Sequence, residues 1–296
     1  MIAGFPVRRV RGSGAELHVA MGGGGPPLLL LHGYPQTHMM WHRVAPVLAR
    51  HFTVICPDLR GYGASECPPS DDDHRAYSKR AMAADLVAVM QELGFSRFAA
   101  AGHDRGGRVL HRLCLDHPDL VSSAAVLDIV PTRTVFEATD QALATGYYHW
   151  FFLIQSPPLP ERMISADPEF WVTSKLSRWS GSGLAAFAPE AVDAYVAAFR
   201  EAAVVHGSCE DYRAAATIDL DDDRADDSQR IRCPLLVLWG ERGLMHRHFD
   251  VPATWQEKAA GPVSSELLPC GHFLPEEQPE LTAAALLSFF LRHRTG

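Results

Sequence analysis

The feature that most constrains this chain is a glycine-rich turn that carries an aspartate. Residues 102–107 read Gly-His-Asp-Arg-Gly-Gly, with an apolar run at 98–101 before them and a helical pattern at 107–117 after them. Small residues on both sides of one reactive side chain are typical of the sharp strand-to-helix turn that exposes a nucleophile in many enzymes. The pattern therefore predicts an α/β fold with Asp104 at its functional edge.

The identity of this residue narrows the chemistry, because a serine is usual at this point of the turn. A carboxylate suits attack on a saturated carbon that bears a leaving group, which leaves an ester on the enzyme. It suits ester hydrolysis badly, since its attack on an acyl group forms only a labile anhydride. Asp104 therefore favours alkyl-transfer hydrolysis over esterase, lipase or peptidase activity.

Size and composition limit the other possibilities. The chain has 296 residues, 47% of them hydrophobic, so we expect one large α/β unit with an inserted subdomain. The net charge of −8 gives no sign of nucleic-acid binding, which favours a basic face. No run of about 18 apolar residues and no signal pattern is present, so no membrane association is expected. Six cysteines without a Cys-x-x-Cys pair indicate a reducing, cytoplasmic setting.

Short apolar runs alternate with helical patterns along most of the chain. Two segments of alternating polarity, 5–10 and 16–21, predict a hairpin. Six apolar runs predict buried strands at 28–31, 52–56, 98–101, 121–129, 235–239 and 264–268. Helices are predicted at 79–93, with Ser78 as the cap, and at 276–292. The alternation predicts a mostly parallel, doubly wound sheet.

The middle of the chain breaks this alternation. Residues 131–227 are rich in Trp, Tyr, Phe and Ala, contain several prolines, and show no buried-strand run. We interpret the segment as a helical cap over the carboxyl edge of the sheet. The predicted organisation is a core formed by residues 1–130 and 228–296, with the cap inserted between them. Trp179 is a candidate for lining the space beneath the cap.

Two residues complete a candidate catalytic set with Asp104. His272 follows the last predicted strand, and open α/β sheets place their active sites at such strand ends. An acid that orients this histidine is expected in the turn at 240–243, but that turn reads Gly-Glu-Arg-Gly. Asp128, at the end of an earlier strand, is assigned instead. The second choices are Asp250 and Glu241.

The residue types define a two-step reaction. Asp104 displaces the leaving group, and His272 then takes a proton from the water that hydrolyses the ester. Backbone amides would stabilise the oxyanion of the second step, and the natural donors are those of Tyr34 and Arg105.

Two arginines lie beside the nucleophile. Arg105 follows it directly, and Arg108 lies four residues beyond Asp104 on the same helical face. Guanidinium groups are costly to desolvate without an anion, but a tight pair with Asp104 would consume the nucleophile. A substrate carboxylate, which arginine binds bidentately, is the better partner. Such a charge-assisted contact contributes about 1.5–3 kcal/mol.

These motifs resemble those of the fluoroacetate (haloacetate) dehalogenases of the α/β-hydrolase superfamily. The resemblance covers nearly the whole chain and rests on seven segments: 32–36, 58–65, 102–108, 127–129, 148–150, 209–213 and 271–275. The hydrolase motifs alone are generic, whereas His-Asp-Arg-Gly-Gly-Arg together with His-Trp and Glu-Asp-Tyr-Arg is specific. The resemblance implies an α/β-hydrolase fold, with an eight-stranded sheet and an inserted helical cap.

The resemblance also implies the residue roles. It implies that Asp104 is the nucleophile and that Asp128 and His272 activate the water. It implies that Arg105 and Arg108 bind the substrate carboxylate. The donors to the departing halide would be His149, Trp150 and Tyr212. The implied reaction converts fluoroacetate or other haloacetates to glycolate and halide, without a cofactor or metal, in a homodimer. Tyr34 is a departure from the family, which usually has Phe there, and its phenol would add a polar group near the pocket.

Two other functions stay open. An epoxide hydrolase would share the aspartate and histidine and would use two cap tyrosines, Tyr147 or Tyr148 with Tyr212. Against this hypothesis, such enzymes usually carry Trp where Arg105 stands. A non-catalytic receptor for a small carboxylic acid is the other alternative, and the complete set of nucleophile, base and acid disfavours it.

Overall fold

The structure, a computed structural model, describes residues 1–294 and contains an eight-stranded sheet. The strands are β1 (Val7–Arg11), β2 (Glu16–Gly23), β3 (Pro27–Leu31), β4 (Thr53–Pro57), β5 (Phe98–His103), β6 (Val121–Leu127), β7 (Leu235–Gly240) and β8 (Val263–Leu268). Their order in the sheet is β1-β2-β4-β3-β5-β6-β7-β8. Strand β2 runs antiparallel to both its neighbours, and the pairs from β4 to β8 are parallel. The predicted mostly parallel sheet is confirmed.

Helices connect the strands and form the segment between β6 and β7. Before β6 the helices are α1 (Ala45–Leu48), α2 (Lys79–Glu92) and α3 (Arg105–Asp116). Between β6 and β7 they are α4 (Thr132–Glu137), α5 (Gln141–Gly146), α6 (Tyr148–Leu153), α7 (Leu159–Ala166), α8 (Pro168–Trp179), α9 (Pro189–Phe199), α10 (Ala202–Ala216) and α11 (Ile218–Ala225). After β7 they are α12 (Leu244–His248), α13 (Val251–Gln256), α14 (Leu274–Glu277) and α15 (Pro279–Arg292). Short 3₁₀ helices occur at His38–Trp41, Arg75–Tyr77 and Gly183–Ala186.

The segment between β6 and β7 has the helical character that its composition predicts. Its long helices pack on one another, α8 against α9 and α10 against α7. The division of the chain at residues 131 and 227 stays a prediction. Among the described residues, no helix combines the length and apolar character that crossing a bilayer would require.

The centre of the sheet forms the core from which the site is built. The four leucines of β3 are fully buried, and every residue of β5 is buried as well. Buried strands of this kind are rigid, because close-packed neighbours surround them on both faces. The turns at their carboxyl ends are therefore held in fixed positions.

One predicted helix is divided in two. The helix expected at 276–292 is split into α14 and α15 at Gln278, whose backbone is not helical at φ −137° and ψ 59°. Proline disfavours a helical conformation in the residue before it and is well suited to the first turn of a helix. Pro279 therefore ends the first helix and begins the second.

Candidate active site

Asp104 lies in the turn between β5 and α3. Its φ of 45° and ψ of −115° place it in a region that residues with a side chain rarely adopt. The glycines around it allow the turn, because a Cβ on Gly102 would lie 2.5 Å from the Gly106 carbonyl oxygen. Asp104 is buried, with 5% of its surface exposed. The turn thus presents one carboxylate at the end of a buried strand.

The charge on this carboxylate is favoured by its neighbours. Burial by itself would raise the pKa of Asp104, but the positive charges of His272 and Arg108 lower it below the ordinary value. The backbone amide of Tyr34 also donates to Asp104 Oδ2 at 3.1 Å. Arg105 begins α3, so its amide belongs to the first turn, where backbone donors have no partner within the helix. Both predicted oxyanion donors therefore lie at the nucleophile.

His272 is brought to Asp128, as the sequence predicts. Nδ1 of His272 lies 2.6 Å from Asp128 Oδ2, and the amide of Gly240 donates to Asp128 Oδ1 at 3.0 Å. Burial lowers the pKa of His272, but the bond and charge of Asp128 outweigh this and raise it above the ordinary value. The other ring nitrogen, Nε2, lies 4.0 Å from Asp104 Oδ2. That separation is too long for a direct hydrogen bond, so Nε2 faces the nucleophile without being bound to it.

Neither second-choice acid takes this position. Asp250 accepts a hydrogen bond from the amide of Ala253 at 3.1 Å and caps α13. Glu241 is exposed at the surface. The acid sits one strand earlier than in the usual turn because Asp128 follows β6 directly, where parallel pairing aligns it with the end of β7.

The structure corrects the prediction for Arg105. The sequence led us to expect that a substrate carboxylate pairs with both Arg105 and Arg108, but a carboxylate of the protein pairs with Arg105. Its fully buried guanidinium donates to Asp211 of α10, from Nε to Oδ2 at 2.7 Å and from Nη2 to Oδ1 at 2.8 Å. A buried guanidinium is costly to desolvate without an anion, and Asp211 of the cap supplies one to Arg105. Lys79 and Tyr62 also donate to Asp211. The remaining Arg105 nitrogen, Nη1, is buried and has no partner in the part of the chain that the structure describes.

Arg108 keeps the bonding pattern expected of a ligand-binding cation. Its Nη1 donates to the Val130 carbonyl oxygen at 3.0 Å and to Thr132 Oγ1 at 3.1 Å, which orients the guanidinium. Its Nε and Nη2 are buried without a partner among the described residues. Burial lowers its pKa, and the charge of Asp104 opposes that change. Two guanidinium donors thus remain available beside the nucleophile.

The three predicted halide donors come together from two cap helices. The ring of Tyr212, on α10, lies 5.7 Å from that of His149 and 6.0 Å from that of Trp150, both on α6. The guanidinium of Arg105 lies 4.1 Å from the Tyr212 ring centre, and that of Arg108 lies 4.6 Å from the Trp150 ring centre. These cation–π contacts hold the aromatic faces, so the polar edges are left for other partners.

Two of these aromatic groups have buried polar atoms that find no partner within residues 1–294. They are His149 Nδ1 and the Tyr212 hydroxyl. Burial, with a contribution from the charge of Lys175, holds the pKa of His149 well below its ordinary value, so the imidazole is neutral. Burial likewise keeps the Tyr212 phenol protonated, because it raises the pKa of that group. Both residues therefore offer neutral donors.

The phenol of Tyr34 contacts the cap rather than adding a free polar group to the pocket. Its oxygen accepts a hydrogen bond from Trp171 Nε1 of α8 at 2.5 Å. Its ring lies 11° from parallel to that of His149, with the centroids 6.1 Å apart. The residue therefore ties the turn after β3 to the cap.

Neither the contact of Asp211 with Arg105 nor the burial of Lys175 was predicted from the sequence. Asp211 is in the Glu-Asp-Tyr-Arg segment that carried the family resemblance, so its place next to Tyr212 was the available signal. Lys175 had no such signal, since only the packing of α8 shows that it is buried.

One group of residues has the composition of a metal site. Ligand atoms of His18, His38 and Asp58 lie within 4.8 Å of one another. Both Asp58 oxygens already accept hydrogen bonds, Oδ1 from the amide and Nδ1 of His38 and Oδ2 from the amide of Ala64. This bonding accounts for the cluster as a support for the turn after β4.

Comparison with known proteins agrees with this geometry. The sequence model described as the alpha/beta hydrolase fold matches residues 26–279. A fluoroacetate dehalogenase from Burkholderia sp is 46% identical, over 100% of this chain and 97% of the relative. A soluble epoxide hydrolase from Corynebacterium sp. is 32% identical, over 94% of each chain.

A solved structure shows the same fold throughout. The crystal structure of an alpha/beta hydrolase-type protein from Nostoc sp PCC 7120 is 53% identical and superposes with a TM-score of 0.96, over 98% of this chain and 99% of that one. Sequence and structure thus agree over essentially the whole length. The chain belongs to the alpha/beta hydrolase family, and the resemblance to fluoroacetate dehalogenase that its motifs predicted is confirmed along its full length.

Proposed function

We propose that the protein is a hydrolytic haloacetate dehalogenase that converts fluoroacetate or other haloacetates to glycolate and halide. The observation that carries this proposal is a set of buried polar atoms that have no partner within residues 1–294: Arg105 Nη1, Arg108 Nε and Nη2, His149 Nδ1 and Tyr212 OH. Arg105, Arg108 and Tyr212 are close enough to Asp104 to interact with its charge, and His149 lies near both arginines. Leaving such a group unsatisfied costs about 1–3 kcal/mol. A small anion with acceptors at both ends would satisfy the whole set.

The substrate carboxylate binds the arginine donors in this proposal. Arg105 contributes Nη1 and is held by Asp211, while Arg108 contributes Nε and Nη2 and is held by the Val130 carbonyl oxygen. Arginine positions a carboxylate in a defined plane, which orients the carbon that bears the halogen. Orientation of this kind lowers the barrier to displacement, because the reacting atoms meet in the required geometry.

The halide leaves toward the aromatic cluster. Fluoride is compact and basic, so it leaves readily only when strong hydrogen bonds stabilise its charge. Bonds from His149, Trp150 and Tyr212 would contribute roughly 5–9 kcal/mol if they were additive, which neighbouring contacts rarely are. Half of that contribution still corresponds to about two to three decades in rate.

The ester is then hydrolysed at the enzyme. One Asp104 oxygen attacks the substrate carbon, and the oxygen bound by the Tyr34 amide becomes the ester carbonyl. His272, oriented by Asp128, takes a proton from water, and that water attacks the Asp104 carboxyl carbon. The resulting oxyanion is stabilised by the amides of Tyr34 and Arg105. Collapse of this intermediate releases glycolate and restores the carboxylate.

Halide release from fluoroacetate and chloroacetate, at millimolar substrate, tests the proposal. Asp104→Asn should abolish release, whereas His272→Asn should accumulate an enzyme heavier by one carboxymethyl group. Asp250→Asn is the matched control, because asparagine caps a helix as well as aspartate does. No release from either substrate by the wild-type protein would refute the proposal, and carboxylate binding without turnover would favour a receptor.

Epoxide hydrolysis is the second candidate, supported by the 32% identical soluble epoxide hydrolase. Tyr147 and Tyr212 are both buried and both lie near enough to Asp104 to interact with its charge, so two phenols are available to an epoxide oxygen in this candidate. Turnover of styrene oxide that survives replacement of Arg108 would favour this candidate. We also propose a cytoplasmic homodimer, and the mass of the native protein in solution tests the dimer.

A further inference from the structure

A cavity of about 220 Å³ lies between the cap and the core and reaches the catalytic histidine. Its walls include His272 and Trp179, together with four cationic residues that we call the mouth cluster: Lys175, Arg178, Arg242 and Arg247. Among the described residues that line the cavity, none is acidic. Such a concentration of positive charge is notable in a chain whose net charge is −8.

Lys175 is the informative member of the mouth cluster. It is only 1% exposed, and its ammonium donates to the Tyr148 hydroxyl and lies 3.7 Å from the Trp171 ring centre. Burial and the charge of Arg178 lower the pKa of Lys175 to about 8, and no acid in the described part of the chain offsets the change. A buried ammonium without a carboxylate is costly to maintain unless an anion binds to it.

A second buried lysine shows what the ordinary arrangement looks like. Lys79 is 3% exposed and forms ion pairs with Asp211 and, at 3.4 Å, with Asp219. Both lysines are therefore desolvated, but within residues 1–294 carboxylates pair with Lys79 and none pairs with Lys175. The difference indicates that the partner of Lys175 comes from solution.

The other members of the mouth cluster have neutral partners or exposed side chains. Arg242 donates to the carbonyl oxygens of Gly181 and Pro269, each at 3.1 Å. Arg247 donates to the carbonyl oxygen of Arg242 at 2.7 Å. Arg178 is exposed, three residues after Lys175 on the same face of α8. None of these contacts neutralises a guanidinium, so their charges add at the cavity mouth.

We propose that the mouth cluster is an anion-binding site that captures the carboxylate substrate before it reaches Arg105 and Arg108. The mouth cluster is separate from Arg105 and Arg108 beside Asp104. This inference rests on the proposed function, because it takes the captured anion to be a haloacetate. A cleft lined by one sign of charge concentrates ions of the opposite sign and raises their rate of capture. Such attraction weakens with salt, because the Debye length falls to about 8 Å at 0.15 M ionic strength.

Steady-state kinetics with chloroacetate test this site. Lys175→Met keeps the apolar stem and removes the charge, and we expect kcat/KM to fall about tenfold, with most of the change in KM. The decline of kcat/KM with added salt should also become shallower than in the wild type. Arg178→Gln, at an exposed position that tolerates substitution, should change both quantities in the same direction, and Lys175→Arg should restore them.

Arg50→Gln is the matched control, because Arg50 is exposed just before β4, at the opposite edge of the sheet. It makes the same change in net charge and should leave kcat/KM and its salt dependence unaltered. Wild-type values in both Lys175→Met and Arg178→Gln would overturn the inference while leaving the dehalogenase proposal in place. An equal effect of Arg50→Gln would also overturn it, since net charge alone would then be responsible.

A binding measurement separates the two proposals. Crystals of the wild type and of Lys175→Met soaked in bromide would be compared by anomalous scattering. A bromide within hydrogen-bond distance of Lys175 Nζ in the wild type, and absent from the variant, supports the anion site even if no haloacetate is turned over. Wild-type crystals that hold bromide at Tyr212 but none at the mouth cluster would overturn the proposed anion site.

Discussion

Asp211 binds Arg105 through two hydrogen bonds of 2.7 and 2.8 Å between side chains that are both fully buried. An acid of the cap thus holds the residue that follows the nucleophile. The same carboxylate also accepts from Lys79 and from Tyr62. The contact that joins the cap to the core at this point therefore also orients Arg105.

Replacing Asp211 should destabilise the protein strongly. Asp211→Asn leaves Arg105 buried without a carboxylate, and breaking a buried pair in this way costs about 3–5 kcal/mol. Urea unfolding measures the change. Asp73→Asn is the control. The side chains of Asp73 and Arg75 are 55% and 70% exposed, so their ion pair contributes less than about 1 kcal/mol to the free energy of unfolding. Similar small losses in both variants would contradict the structural role of Asp211.

A single turnover in heavy-oxygen water should label the enzyme first. Water attacks the carboxyl carbon of the Asp104 ester, so the new oxygen stays on Asp104 and glycolate takes an oxygen from the protein. Mass spectrometry of the peptide that contains Asp104 detects the label. Heavy oxygen in the first glycolate released would instead indicate direct attack of water on the substrate.

The acid side of the pH–rate profile should report His272. The imidazole must be neutral to accept a proton, and its pKa is raised above the ordinary histidine value by Asp128. Activity should therefore fall as pH decreases through a value above about 6.5. Asp104, whose pKa is lowered, remains ionised through this range. The measurement is kcat for chloroacetate against pH.

Asp128→Asn should change that profile in a defined direction. Without the carboxylate, burial dominates and lowers the pKa of His272, so the acid limb moves to lower pH. Loss of the oriented base should reduce kcat by about 10²- to 10⁴-fold. Because displacement by Asp104 does not require the base, the ester should accumulate. An unchanged limb would show that another group titrates.

Tyr34→Phe should affect stability more than chemistry. The variant loses the bond to Trp171 Nε1, which contributes about 0.5–1.5 kcal/mol, while the backbone amide that binds Asp104 is kept. Thermal unfolding should show the small loss, and the ratio of kcat/KM for fluoroacetate and chloroacetate should stay within about twofold. A larger change in that ratio would mean that the phenol contacts the substrate.

The strands and the turn at Asp104 were predictable because their signals are local. The pairing of His272 with Asp128, which lie 144 residues apart, was predictable because each residue follows a strand of the parallel sheet. An apolar run followed by glycines specifies a strand end, and parallel strands bring their carboxyl ends to one edge. The split between α14 and α15 was missed although Pro279 marks it, because the helical periodicity continues across the break.

The amino-acid sequence by itself determined the sheet, the turn that carries Asp104 and the residue types around it. Tertiary structure alone decided which acid holds Arg105, which group bonds the Tyr34 phenol, and that Lys175 is buried without an acidic partner among the described residues. These contacts join positions 106 and 137 residues apart, or depend on how the cap docks on the core. Periodicity and spacing describe neighbours along the chain, whereas the pairing of buried charges depends on which surfaces meet when the chain folds.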